Sequence, residues 1–214
     1  MKTYTIKEIF YSIQGEGSYA GSPMVFVRFS GCNLQCHFCD TDFQGGDKMT
    51  GPEIAEAILQ RIQARTKHSD HPIPVCFTGG EPLLQLDKAL VNTVKNMRKK
   101  VTTPVHLETN GTLTPPVWQE FRCITVSPKI VAAGNLGGLL RAPTAELKVV
   151  WDPSDQALLD NHLHAWSEFK WRRQFIQPCT KPDGSTNVQE VIDYIIKNPQ
   201  WDLSVQMHKV IKVE

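Results

Sequence analysis

Short β-branched or aromatic runs, each closed by a polar turn and followed by a helical stripe, recur along this 214-residue chain. No other feature narrows the fold so far. Tyr4 to Ser12 reads as a first strand, and Met24 to Phe29 as a second with Val25, Val27 and Phe29 on one face. Pro74 to Phe77 runs into Thr78-Gly79-Gly80-Glu81-Pro82, and Val105 to Leu107 into Glu108-Thr109-Asn110-Gly111. Ile124 to Val126 ends in Ser127-Pro128-Lys129, and Gln174 to Ile176 in Gln177-Pro178; Glu146 to Val150 and Leu203 to Gln206 complete the strands. Between them, Thr50-Gly51-Pro52-Glu53 forms a capping box for a helix with Ile54, Ile58 and Ile62 on one stripe, ending near Lys67. Leu86, Leu90, Val94 and Met97 mark a second helix, Ser154 to Trp166 and Val188 to Lys197 two more, and a short one follows Pro115-Pro116 through Phe121. Asn135 to Pro143 is glycine-rich and reads as a mobile loop.

Strand then helix, repeated, predicts an α/β fold with a parallel sheet and crossover helices. About six such units fall short of the ~250 residues of a closed eight-unit barrel. The expectation is therefore an open partial (β/α)6-type barrel in one domain over residues 1–214, with a doubly wound sheet as the competing fold. In both, ligands sit at the carboxyl ends of the strands, where the polar turns fall.

The charge balance is 23 Lys and Arg against 22 Asp and Glu. A net charge this near zero gives no electrostatic footprint for nucleic acid or an anionic membrane. The first residues, Met1-Lys2-Thr3-Tyr4-Thr5, lack the apolar core of a signal peptide, and no run approaches membrane-spanning length. A cytoplasmic location is expected, where thiols stay reduced.

That matters because three of the six cysteines, Cys32, Cys36 and Cys39, fall in one loop as C-x3-C-x2-C. Thiolates are soft ligands for iron–sulfur clusters or zinc. Three thiolates on a four-iron cluster would leave one iron open to a substrate or cofactor. Zinc would need a fourth ligand, and His37 lies inside the loop, unlike the usual paired spacing. Phe38, before the last cysteine, could shield a cluster or stack on an adenine. Cys76 and Cys123 read as buried small residues, Cys179 as a rim residue open to solvent, and His106 as a strand residue.

C-x3-C-x2-C with an aromatic before the third cysteine resembles the signature of radical S-adenosylmethionine (SAM) enzymes. Thr78-Gly79-Gly80-Glu81-Pro82, about forty residues on, resembles their GGEP motif. Strand, Gln14-Gly15-Glu16-Gly17, a strand with Val27-Arg28, then the cysteine loop is similar to one family, 7-carboxy-7-deazaguanine synthase. The likeness continues through Cys39-Asp40-Thr41, Glu108-Thr109-Asn110-Gly111, Ser127-Pro128-Lys129 and Val205-Gln206-Met207-His208-Lys209. It spans essentially the whole chain.

The resemblance implies an abbreviated radical SAM barrel that converts 6-carboxy-5,6,7,8-tetrahydropterin to 7-carboxy-7-deazaguanine with loss of ammonia, on the route to queuosine. It implies a [4Fe–4S] cluster on Cys32, Cys36 and Cys39, SAM, and Mg2+ on the Thr41 hydroxyl. SAM would meet Phe38, Gly79, Gly80, Glu81, Ser127, Pro128, Lys129 and Gln177. The pterin would meet Ile13, Gln14, Gly15, Glu16, Arg28, Thr78, His208 and the Glu214 carboxylate. A homodimer and an external one-electron donor such as a flavodoxin are implied as well. The tail departs from the family pattern, with Met207 where a threonine commonly precedes the histidine. Two alternatives stand beside this reading. A glycyl-radical-enzyme activase would share the cysteine and SAM motifs but have no use for Gln14–Glu16 and Arg28. A non-catalytic iron–sulfur or zinc protein would have no use for the GGEP-like turn.

Overall fold

The computed structural model describes residues 1–66, 71–99, 101–129, 142–152, 156–167, 169–181 and 184–213, the side chains of 156–160 aside. Its strands are β1 (Thr3–Ile13), β2 (Pro23–Phe29), β3 (Asp47–Thr50), β4 (Val75–Gly79), β5 (Val105–Thr109), β6 (Cys123–Val126), β7 (Ala145–Trp151), β8 (Gln174–Pro178) and β9 (Asp202–Leu203). The helices are α1 (Gly51–Arg65), α2 (Lys88–Lys95), α3 (Gln156–Ser167), α4 (Val188–Lys197) and α5 (Met207–Ile211). All nine strands form one sheet in the order β3-β1-β2-β4-β5-β6-β7-β8-β9. From β2 onward every pairing is parallel and follows chain order, whereas β1 and β3 add antiparallel at one edge. A doubly wound sheet must reverse its strand order at a switch point. The parallel strands here never do, so that part of the sheet is wound one way, and β3 and β9 leave it open.

The two faces of the sheet carry opposite chemistry, because side chains alternate along each strand. Val25, Val27 and Phe29 of β2, Val75 and Phe77 of β4, Val105 and Leu107 of β5, and Leu147 and Val149 of β7 join the main core. That core also takes Ile54, Ile58 and Ile62 of α1 and Leu90, Val91 and Val94 of α2. The other face is the concave interior. It begins with a small apolar floor of Met24, Phe26 and Cys76, with Phe10 and Tyr19 against it. Above the floor the same face turns polar, with Thr78, His106, Thr125, Glu146, Lys148 and Gln177 all buried. Burial pushes His106 down to about 4, with Arg122 and Arg172 adding to the effect. It is thus a neutral interior residue, edge-on to the Tyr19 ring at 4.4 Å.

An irregularity in β1 sets which of its residues face inward. The register passes from Ile6 opposite Phe29 to Glu8 opposite Arg28, so Lys7 is the extra residue of a bulge. Tyr4 and Ile6 lie in the core before it and Ile9 after it. Glu8 is thereby brought opposite Arg28, and Phe10 joins the interior floor.

The capping box is present, with the Glu53 carboxylate accepting from both the N–H and the hydroxyl of Thr50 at 2.7 and 2.6 Å. The second helix is shorter than its apolar stripe. Asp87 accepts from the Leu90 N–H at 3.0 Å and starts α2 after Leu86, and the helix ends before Met97. After Pro115-Pro116 a single 3-10 turn covers Trp118–Glu120. One strand and one α-helix were not expected: β3, whose Asp47-Lys48-Met49-Thr50 has no apolar pattern, and α5; the expected Leu203–Gln206 strand is reduced to Asp202–Leu203, with 204–206 outside any element. The expected glycine-rich loop lies outside the described residues up to position 141.

Parallel strands exit together, so the turns after β2, β4, β5, β6 and β8 share one rim. Gly79 and Gly80 let the first two of these meet. A Cβ on Gly80 would lie 2.0 Å from the Gly31 carbonyl oxygen, and one on Gly79 (φ +130°) 2.3 Å from the Phe29 carbonyl oxygen. The Gly31 carbonyl accepts from the Glu81 N–H at 2.9 Å, locking the start of the cysteine loop to the turn. Gly80→Ala is expected to displace that loop, costing about 1–3 kcal/mol in urea unfolding and most of the iron taken up on reconstitution. Gly45→Ala is the control: its φ of +70° is strained but nothing lies within 4 Å. It should lose about 1–2 kcal/mol and keep its iron. Equal iron content in the two variants would show that the close approach does not seat the loop.

Candidate active site

The rim encloses a cavity of about 270 Å³ lined by Cys32, Cys36 and Cys39. The loop is held locally by the Cys39 N–H donating to the Cys36 carbonyl at 3.1 Å, and the Leu34 N–H points at Cys32 Sγ at 3.4 Å. Burial pushes the Cys36 thiol up, the Lys129 charge opposes this, and the neighbouring Cys39 and Cys32 add to it. Phe38 and Thr41 line the same cavity. Lys129, on the far side, donates to Ser127 Oγ at 2.8 Å and lies 5.7 Å from the Phe38 ring centroid. Its ammonium is pushed down by burial and by Lys148, against the pull of Cys36, Glu16 and Cys39.

Gly79 and Gly80 present their backbone to the cavity. Glu81 does not. It is fully buried behind the turn, where its carboxylate accepts from the Leu83 N–H (2.9 Å), the Asn110 N–H (2.7 Å) and the Thr109 hydroxyl (2.9 Å). Burial pushes this carboxyl up, and those bonds oppose the shift. The expected direct contact of Glu81 with a cofactor is therefore corrected: three donors behind the wall occupy it, and it braces the β4 exit against the β5 exit. Asn110 extends the brace, its Nδ2 donating to Asn33 Oδ1 at 2.9 Å in the cysteine loop. Pro128 is also buried and outside the lining, so of Ser127-Pro128-Lys129 only Ser127 and Lys129 face the cavity.

The loop after β1 forms the opposite wall, with Ile13, Gln14, Gly15 and Glu16 lining the cavity. Gln14 Nε2 and the Thr78 hydroxyl both donate to Glu108, at 3.0 and 3.1 Å. Glu16 forms an ion pair with Lys148 and accepts from Gln177 Nε2 (3.2 Å) and Gln206 Nε2 (3.0 Å). A Cβ on Gly15 would lie 2.0 Å from His208 Nδ1, so the glycine makes room for the His208 ring as it stands. His208 lines the cavity, and the Met207 N–H donates to the Gly15 carbonyl at 3.0 Å, docking the tail onto this loop. Arg28 faces inward as its alternation predicts. Its Nε donates to Glu8 at 2.6 Å, its guanidinium lies 5.5 Å from the Phe10 ring centroid, and its terminal nitrogens make no further bond among the described residues. Glu214 lies outside the described residues.

Several polar lining residues were given no site role from the sequence, among them Lys148, Asp40, Gln206 and Lys209. Lys148 was legible in principle. It alternates with Leu147 and Val149 on a strand inside a sheet with helices on its outer face, so a charge there has to face the interior. Asp40, Gln206 and Lys209 meet across the cavity mouth, where Lys209 pairs with Asp40 and Gln206 Nε2 donates to it at 3.3 Å. These contacts join loops over 160 residues apart, and no local pattern encodes them. Cys179, expected at an exposed rim, is instead 8% exposed and lines the wall, with its N–H donating to Asn187 Oδ1 at 2.8 Å.

The donor set fits an iron–sulfur cluster. No three His, Cys, Asp or Glu side chains among the described residues gather as a single-ion site. A cluster instead takes one thiolate on each iron, and three thiols open onto one cavity here. The bare backbone of Gly79 and Gly80 beside them, with Ser127, Lys129 and Gln177, offers polar groups for a nucleoside-bearing cofactor.

A family model described as a 4Fe-4S single cluster domain matches residues 13–132. The chain is 38% identical to the 7-carboxy-7-deazaguanine synthase of Caulobacter vibrioides over 98% of each chain. It is 35% identical to that of Bordetella pertussis over 98% of this chain and 99% of that protein, and 38% identical to that of Bacteroides thetaiotaomicron over 97% of each. The crystal structure of QueE from Escherichia coli superposes with a TM-score of 0.69 at 26% identity, covering 96% of this chain and 95% of that one. With cysteine loop, GGEP-like turn and Gln14–Glu16 wall on one cavity, and this similarity end to end, the chain belongs to the 7-carboxy-7-deazaguanine synthase family of radical SAM enzymes.

Proposed function

We propose that the protein is a carbon–nitrogen lyase that converts 6-carboxy-5,6,7,8-tetrahydropterin to 7-carboxy-7-deazaguanine with loss of ammonia, in queuosine and deazapurine biosynthesis. One observation carries this reading: Arg28 and the Gln14–Glu16 loop face the same cavity as the three cysteines. That combination serves a small carboxylated heterocycle and not a protein loop.

Cys32, Cys36 and Cys39 would hold the cluster, and Phe38, Gly79, Gly80, Ser127, Lys129 and Gln177 would hold SAM. When bound, the two would supply one-electron radical chemistry to the substrate. The chain's own part is positioning and exclusion of water. Arg28 meets the substrate carboxylate with its terminal nitrogens, a planar two-pronged match that lysine cannot reproduce. Gln14, Glu16 and Thr78 meet the polar edge of the ring, flanked by Ile13 and Gly15, and His208 closes the side nearest the tail. Thr41 offers a hydroxyl to Mg2+, a hard ion that keeps several waters and asks for few chain ligands. Glu81 and Pro128 support the wall from behind. The homodimer, the external electron donor, the cytoplasmic location and the Glu214 contact rest on the family resemblance.

Turnover of the carboxypterin by anaerobically reconstituted protein tests the reading. The deazaguanine product should form only with SAM, a reductant and the intact cysteine loop. Thr41→Ala should lower the response to added Mg2+ while leaving SAM affinity unchanged. SAM cleavage with no deazaguanine product would reject the assignment, and a full Mg2+ response in Thr41→Ala would reject the metal role.

Arg28→Lys separates substrate binding from cofactor binding. It should preserve iron content and SAM affinity and weaken carboxypterin binding by about 1.5–3 kcal/mol, the range for a hydrogen bond to a charged group. Calorimetric titration with each ligand reads both numbers. An equal loss for SAM, or none for carboxypterin, would remove Arg28 from the substrate site.

A further inference from the structure

Lys148 is an ammonium buried in the sheet interior, 5% exposed, on the middle of β7. Its partner is Glu16, the carboxylate that the cavity wall offers to a ligand. Around this pair stand Gln177 of β8 and Gln206 of the tail, both donating to Glu16 Oε1, while Lys148 meets Oε2. Glu16 thus accepts on both oxygens, from two amide N–H groups on one and an ammonium on the other. Of the other charged groups, His208 and Lys129 act on Glu16, and Glu108 of β5 and Glu146 of β7 act on Lys148. Three interior carboxylates thus share Lys148 as the cation at their centre.

We propose that Lys148 is a positioning and specificity residue that holds Glu16 as an oriented carboxylate, so that the site accepts a ring edge presenting N–H donors and rejects one presenting acceptors. This rests on the reading that Glu16 meets the pterin edge. A neutral Glu16 would carry a proton of its own and could satisfy an acceptor edge, so its charge state is what discriminates. Electrostatics agrees with the geometry. Burial alone would push the Glu16 carboxyl up, but the Lys148 charge and hydrogen bond, then Gln206 and His208, bring it below the usual carboxylate range. Lys148 in turn is held above its ordinary value, burial being outweighed by Glu16 and Glu108. An isolated lysine this deep would tend to lose its proton. The paired carboxylates prevent that.

With Lys148 neutralised, burial acts on Glu16 against weaker opposition, its pKa rises, and the carboxylate is lost first at the acid end of the working range. The experiment titrates SAM-loaded, anaerobically reconstituted holoenzyme with 6-carboxy-5,6,7,8-tetrahydropterin from about pH 6 to about pH 9. Wild-type affinity should be flat. Lys148→Met should bind at least about ten-fold more weakly at the acid end and recover as pH rises, with SAM affinity unchanged. Lys148→Gln, which keeps a donor to Glu16 without the charge, should show the same recovery and serves if the methionine variant does not fold. Glu16→Gln should bind weakly at every pH and reveals any titration of the ligand itself. The double variant Lys148→Met with Glu16→Gln should match Glu16→Gln alone. A Lys148 profile parallel to wild type, or a further loss in the double variant, would overturn the proposal. If Glu16→Gln binds carboxypterin like wild type, the substrate-wall reading itself fails, whatever Lys148 does.

Discussion

One buried carboxylate holds the upper rim of this molecule together. Glu81 leaves the β4 turn, passes behind the cavity wall and collects the Leu83 N–H, the Asn110 N–H and the Thr109 hydroxyl. A carboxyl group with no exposure is costly unless its oxygens are matched by donors, and here they are. The bond from the Glu81 N–H to the Gly31 carbonyl adds the third strand end. Three successive exits of a parallel sheet are thereby fixed relative to one another, and the cysteine loop is suspended from the middle of them. A motif that looks like a ligand-binding turn is, in its acidic residue, the fastening of the loop that holds the cysteines.

Beneath the rim the sheet divides its labour by face. The outer face packs α1 and α2 through aliphatic side chains, and on the inner side Glu16, Glu108, Lys148 and Arg28 line one cavity. Charges at this depth persist because each has a partner: Lys148 with Glu16, Arg28 with Glu8, and Glu108 with the donors of Gln14 and Thr78. The result is polarised. Arg28 on β2 is suited to an anionic substituent, and the carboxylates near β5 and β7 to a donor edge. A heterocycle with a carboxylate on one side and amino and ring N–H groups on the other matches that polarity.

The barrel order and the clustering of motifs at strand ends were legible because both rest on local, periodic signals. Val25, Val27 and Phe29 against Arg28 on β2 is an alternation that needs no tertiary knowledge to read. What escaped depends on contacts between distant segments. Asp47-Lys48-Met49-Thr50 becomes a strand only because β1 offers it an edge. Residues 206–209 abandon an extended path because Met207 docks on Gly15, and the glycine admits the His208 ring. Glu81 and Pro128 were misplaced for a different reason. A motif gives residue types at a turn, but which of them face the ligand and which face the scaffold is decided by the neighbouring strand's donors. Cys179 became a wall residue because Asn187 holds its backbone in place.

The central claim is that cluster, SAM and carboxypterin share one cavity, each within reach of the next. Electron paramagnetic resonance of the reduced, reconstituted protein tests it most directly, because the cluster signal reports on whatever touches its open iron. The account predicts one change in the spectrum when SAM is added and a second, distinct change when the carboxypterin follows, the second lost in Arg28→Lys at a substrate concentration that saturates wild type. A spectrum indifferent to SAM, or one that carboxypterin alters equally in wild type and Arg28→Lys, would contradict it.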